Sequence, residues 1–98
     1  MTPIAPHLEA FFRERLPIER GASINTCDSY AYAFKLLLEY ASLRLKVKPS
    51  ALQLEQLDVS LILNFLRYLE TVRHNGRNSR NTRLAAIKSF MHFMEYRA

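Results

Sequence analysis

Apolar residues recur along this chain at helical spacing, in four stretches separated by prolines and glycines. Leu8, Phe11, Phe12 and Leu16 form an i, i+3, i+4, i+8 stripe. They predict a first helix over 7–16, entered through Pro6, whose missing N–H is harmless in a first turn. Pro17 and Gly21 are expected to end it. A longer second helix is predicted over 25–45, with Ser23 or Asn25 as its cap. Its inward face reads Cys27, Tyr30, Ala31, Phe34, Leu37, Leu38, Ala41 and Leu45. Arg44, Lys46 and Lys48 gather where the helix dipole favours cations, and Pro49 stops the helix.

Residues 49–57 make a connector anchored by Leu52, Leu54 and Leu57. A third helix is predicted over 59–73, capped by Asp58 or Ser60, with Ile62, Phe65, Leu66 and Leu69 inward. His74-Asn75-Gly76 reads as its exit. The fourth helix covers 79–96, with Leu84, Ile87, Met91 and Met94 on one side. The expected fold is all-α: one compact four-helix bundle over 98 residues, with no internal repeat or linker.

Composition narrows the function. Half the chain is hydrophobic (49%) and 23% is charged, the balance of a folded domain rather than a disordered tail. Two glycines leave no room for a Gly-rich phosphate loop. One cysteine, Cys27, excludes an internal disulfide framework and a cysteine-based zinc site, which suits a reducing cytoplasm. The N-terminus lacks the pattern of a secretory signal, and no stretch is apolar enough to suggest a membrane span. No catalytic constellation is evident. His7, His74 and His92 lack metal-ligand spacing, the carboxylates are scattered, and the five tyrosines form no nucleophile-activating cluster. No cofactor is expected, and the chain by itself reads as non-catalytic.

Charge does change the picture. The net charge is +5, from 14 Lys and Arg against 9 Asp and Glu. Arg67, Arg73, Arg77, Arg80, Arg83 and Lys88 all fall in one window, which holds a single acid, Glu70. The rest of the chain is neutral on balance. Such focusing is the footprint of a phosphate-binding surface. On a wheel of ~100° per residue, the side of helix four opposite its core reads Asn78, Asn81, Thr82, Ala85, Lys88, Ser89 and His92. A face of small polar residues can press into a major groove, where Asn reads adenine and Lys reaches guanine or phosphate. Arg80 and Arg83 flank the strip, suited to backbone phosphates, as is the helix N-terminus with Arg77. Helix two repeats the theme near its start with Asn25, Thr26, Ser29, Tyr32 and Lys35. The far end of helix four is apolar nearly all round, which leaves Phe93 or Tyr96 available to a partner domain or subunit.

Three stretches carry a family resemblance. Ser23-Ile-Asn-Thr26 followed by Tyr30 is similar to an opening S-x-x-T-x-x-x-Y helix. Pro49-Ser-Ala-Leu-Gln-Leu-Glu-Gln-Leu-Asp58 and then Leu63-Asn-Phe-Leu66 resemble a connector and third helix. Arg80-Asn-Thr-Arg-Leu-Ala-Ala-Ile-Lys-Ser-Phe90 is similar to the segment N-x-R-L-A-A-I-R-S-F-F. Together, from about Leu8 to Tyr96, they resemble the N-terminal core-binding domain of tyrosine recombinases, the phage-integrase and Xer-like family. Lys88 stands where Arg is usual, Met91 where Phe is common, and His92 where a basic residue often sits. The resemblance implies a SAM-like four-helix bundle that forms half of a clamp on double-stranded DNA, with helices two and four toward the major groove. It implies that catalysis belongs to a separate C-terminal domain, absent here, and that none of the five tyrosines is the nucleophile. That catalytic domain and other recombinase protomers in a synaptic complex are the implied protein partners. The alternative is a SAM-like protein-interaction module without specific DNA binding, docking a partner helix through Phe93 and Tyr96.

Overall fold

A computed structural model of the chain describes residues 2–74 and 76–97. Asn75, in the expected exit from the third helix, lies outside the described residues. Helix α1 (Ala5–Ala10) continues directly into a wide, π-helical segment, Phe11–Glu19. Helix α2 (Ile24–Leu45) follows, then two 3-10 turns (Pro49–Ala51 and Leu54–Gln56), α3 (Val59–Thr71) and α4 (Arg77–Arg97). No strand occurs among the described residues; a single isolated bridge joins Pro3 to Gln53.

The first helix departs from expectation. It runs through Pro17 to Glu19 instead of stopping at Pro17. A proline ring inside an α-helix clashes with the carbonyl four residues back, and the wider turn relieves that clash. The turn closes with long-reach bonds: Arg20 N–H donates to the Arg15 carbonyl at 2.9 Å, and Ala22 N–H to the Leu16 carbonyl at 2.8 Å. Gly21, at φ 59°, then reverses the chain, a conformation that costs glycine little.

The other helix starts rest on local caps. Ser23 Oγ accepts from Thr26 N–H at 3.1 Å, so α2 begins at Ile24, and Asp58 Oδ1 accepts from Leu61 N–H at 2.8 Å to open α3. Left-handed Lys46 ends α2. Helix α4 begins at Arg77, two residues before the expected Ser79, with Arg80 N–H bonded to the Gly76 carbonyl at 3.0 Å.

The N-terminal strap is tied to the connector. Thr2 donates its backbone N–H and its hydroxyl to the two carboxylate oxygens of Glu55, at 2.9 and 2.8 Å. Chiefly through that backbone bond, and then through the hydroxyl, Glu55 is held down to about 2. A carboxyl depressed on folding favours the folded state above its ordinary range, and that contribution is lost as pH falls from about 4.5 to about 2.

One aromatic cluster organises the core. Phe11, Phe34 and Phe90 meet edge to face, with Phe90 5.4 Å from Phe11 and 5.3 Å from Phe34. Phe93 adds a contact to Phe11 at 5.5 Å. Such ring pairs contribute ~0.5–1.5 kcal/mol each beyond their burial. The cluster ties the first helical segment, α2 and α4 together, and α2 with α4 is the most extensive helix contact. It also corrects the wheels. On α4 the buried residues are Ala86, Ile87, Phe90, Phe93 and Met94, whereas Leu84 and Met91 are half-buried beside α3. On α2, Ala33 and Leu36 are buried and Ala31 is exposed. Helix α2 packs against the first segment, α3 and α4, so no single stripe describes its inward side.

Candidate nucleic-acid interface

The packing of α2 on α4 places the start of α2 beside the first half of α4. Asn25, Thr26, Ser29 and Tyr30 line one shallow cleft together with Thr82 and Ala85. Five residues of α4, Asn78, Asn81, Ala85, Lys88 and His92, form an exposed stripe at helical spacing. Thr82 lies just inside it, half-buried, and donates its hydroxyl to the Asn78 carbonyl at 3.0 Å. Its oxygen lone pairs remain as acceptors, so it can accept a hydrogen bond from a base edge or a water.

The arginines take different positions. Arg83 turns toward α2, its guanidinium carbon 5.0 Å from the centre of the Tyr32 ring. That is cation–π geometry, and it couples the two helices at the edge of the cleft. Arg80 turns the other way. Its Nε lies 2.7 Å from Glu70 Oε1, an ion pair that joins α4 to α3. Of the remaining predicted residues, Arg77 is exposed at the first position of α4, and Lys35 is exposed one turn beyond Tyr32 on α2. The structure therefore brings Asn25, Thr26 and Ser29 to Thr82, and Tyr32 to Arg83. It does not bring Arg80 to that side, and Lys88 and His92 stand on the rim between the strip and α3.

Two cations outside the basic window extend this surface. Arg15 and Arg20 line a second cleft with Tyr30, Ser89, His92 and Tyr96, continuing along α4. The place of Arg20 depends on the helical segment persisting through Pro17, where the sequence suggests a stop. His92 Nδ1 also lies 3.5 Å from Glu95 Oε2. On the far side of α4 an apolar groove runs against α3, floored by Ile62, Leu66, Leu84 and Met91. Val59 and Leu63 are exposed at its margin. Phe93 is not available to a partner: it is buried against Phe11, whereas Tyr96 is 83% exposed. Among the described residues no cluster of His, Cys, Asp and Glu could hold a metal, and no helix is long and apolar enough to cross a membrane.

An all-α bundle with a cationic, polar face along two helices defines the class, and comparison with known proteins gives the family. Residues 8–97 match the profile of the phage integrase N-terminal SAM-like domain, and the chain belongs to that family. It is the N-terminal domain of integrases and not their catalytic one. Two similar proteins of Sinorhizobium fredii (strain NBRC 101917 / NGR234) carry the names "Putative integrase/recombinase y4rD" and "Putative integrase/recombinase y4rC". The first is 51% identical over 89 residues, covering 91% of this chain and 32% of the relative. The second is 43% identical over 93 residues, covering 95% of this chain and 28% of the relative. The chain thus spans about a third or less of the length of these relatives. No solved structure matches it.

Proposed function

We propose that this domain grips double-stranded DNA at one half-site of a recombination target, as the non-catalytic part of a site-specific tyrosine recombinase. The observation that carries the reading is the joining of the α2 start and the first half of α4 into one polar, cationic surface. In this reading α2 and α4 face the major groove. Asn81, Thr82 and Lys88 lie near base edges, with Asn25, Thr26, Ser29, Tyr32 and His92 beside them. Arg77, Arg83 and Lys35 meet backbone phosphates, and Arg80 joins them once released from Glu70. Catalysis falls to a C-terminal domain of the longer protein, and the working assembly includes other protomers in a cytoplasmic synaptic complex. One domain makes only part of the clamp's contacts and lacks the effective concentration its partner domain supplies. An affinity of ~10⁻⁴–10⁻⁶ M follows, the range of non-specific binding.

A duplex selected from a random pool with the 98-residue chain provides the probe. Titrated at low salt, it should shift the amide resonances of the α2 start and of the α4 stripe, with affinity falling steeply as salt rises. Shifts confined to the α3–α4 groove, or none, overturn the reading. The apolar groove with exposed Val59 and Leu63 supports a second one, a protein-interaction module that docks a partner helix. That reading requires DNA affinity no better than that of any small protein of charge +5.

A further inference from the structure

The cationic window holds one acid, and that acid is paired. Glu70 Oε1 sits 2.7 Å from Arg80 Nε, across the gap between α3 and the first turns of α4. The geometry points to Glu70 as an internal stand-in for a DNA phosphate, which restrains Arg80 and sets how much of the cationic segment reaches DNA. This inference rests on the DNA-binding reading above.

Three observations carry it. A carboxylate and a phosphate present the same acceptor chemistry to a guanidinium, so the two compete for one Arg fork. Glu70 pulls Arg80 to the α3 side, against the groove lined by Leu66 and Leu84, whereas Arg83, three residues on, is drawn toward α2. Both side chains stay partly exposed, Glu70 at 49% and Arg80 at 33%, while Arg80 Nε itself is covered. A partly exposed ion pair adds little to folding, so removing Glu70 frees Arg80 without unsettling the bundle. Arg80 is thereby a position where one acid can tune affinity.

The test is a double-mutant cycle on the 98-residue chain with a duplex of fixed sequence, followed as a function of salt. Glu70→Gln should tighten binding roughly fivefold at 0.1 M salt and steepen the log–log salt slope by about 0.9, the contribution of one added phosphate contact. Arg80→Gln should do little in the parent and should abolish the gain in the Glu70→Gln background. Thermal unfolding of the variants should stay close to the parent. The inference is overturned if Glu70→Gln weakens binding or leaves the slope unchanged, or if Arg80→Gln costs as much in the parent as in the Glu70→Gln chain. Arg77→Gln with Lys88→Gln separates the two readings. Loss of binding there, with Glu70→Gln neutral, discards the restraint and keeps the DNA interface. No duplex binding by any of these chains discards both.

Discussion

The two halves of α4 are built on opposite plans. From Arg77 to Ala85 no residue is buried, and three of the nine are arginines. From Ala86 to Met94 the helix contributes Ala86, Ile87, Phe90, Phe93 and Met94 to the core. The second half is anchored by aromatic rings from two other helical segments. The first half projects beyond that anchor, rests on the core through half-buried Leu84, and is steadied further by two edge contacts, Arg80 with Glu70 and Arg83 with Tyr32. A single helix thus separates a half that packs the core from an exposed half that, on the proposed reading, meets DNA. Helix continuity carries the rigidity of the packed half into the exposed one, so a polar surface can be held in place without a core of its own.

Breaking the anchor should have the largest effect. Phe90→Ala removes the ring shared by Phe11 and Phe34, and a Phe→Ala change in a packed core costs ~3–5 kcal/mol. For a domain with ~5–15 kcal/mol of total stability that is a large fraction. Urea unfolding followed by circular dichroism measures it. Asn81→Ala, on the exposed half, should change stability by less than ~0.5 kcal/mol. Similar costs at the two positions would end the distinction between the halves.

The reverse experiment strikes recognition and spares the fold. Arg77→Gln combined with Lys88→Gln removes two exposed cations, one at the start of α4 and one within the stripe. With Arg77 on one phosphate the salt slope should shallow by about 0.9, and with the Lys88 base contact also gone affinity at about 0.1 M salt should fall at least tenfold. Unfolding should stay within ~0.5 kcal/mol of the parent per substitution. Unchanged DNA affinity would mean that the exposed half of α4 is a solvated face and that the interface lies elsewhere.

Much of this was legible in the chain. Periodicity located all four helices, and Leu8, Phe11, Leu16, Phe65, Leu66 and Leu69 are inward as their spacing demands. The polar strip of α4 was legible for the same reason: a 3.6-residue repeat marks the solvent side as well as the core side. What was not legible depends on tertiary contact. Phe90 and Phe93 lie to one side of the aliphatic stripe, and only the arrival of Phe11 and Phe34 makes them the centre. The passage of the first helix through Pro17 rests on a wide turn that propensity does not anticipate. The opposite orientations of Arg80 and Arg83 depend on where Glu70 and Tyr32 stand in space. The sequence places those two arginines three residues apart and says nothing of which neighbour each will meet.

The smallest effect sharpens the comparison most finely, because it asks what holds the exposed half still. Tyr32 offers its ring face to Arg83 at 5.0 Å while remaining 43% exposed, so the contact is partly solvated. Cation–π pairs at exposed sites contribute ~0.5–1 kcal/mol. Tyr32→Ala should lower global stability by no more than that. It should raise hydrogen-exchange rates at the amides of Arg80 to Ala85 and leave those of Ile87 to Met94 unchanged, since the anchor is untouched. Tyr32→Phe keeps the ring face and should restore protection, which separates the cation–π contact from any role of the hydroxyl. Tyr32→Leu keeps bulk without the ring quadrupole and should behave as the alanine variant does. If leucine protects as well as phenylalanine, then packing bulk, not the charge of Arg83 over the ring, steadies the exposed half of α4.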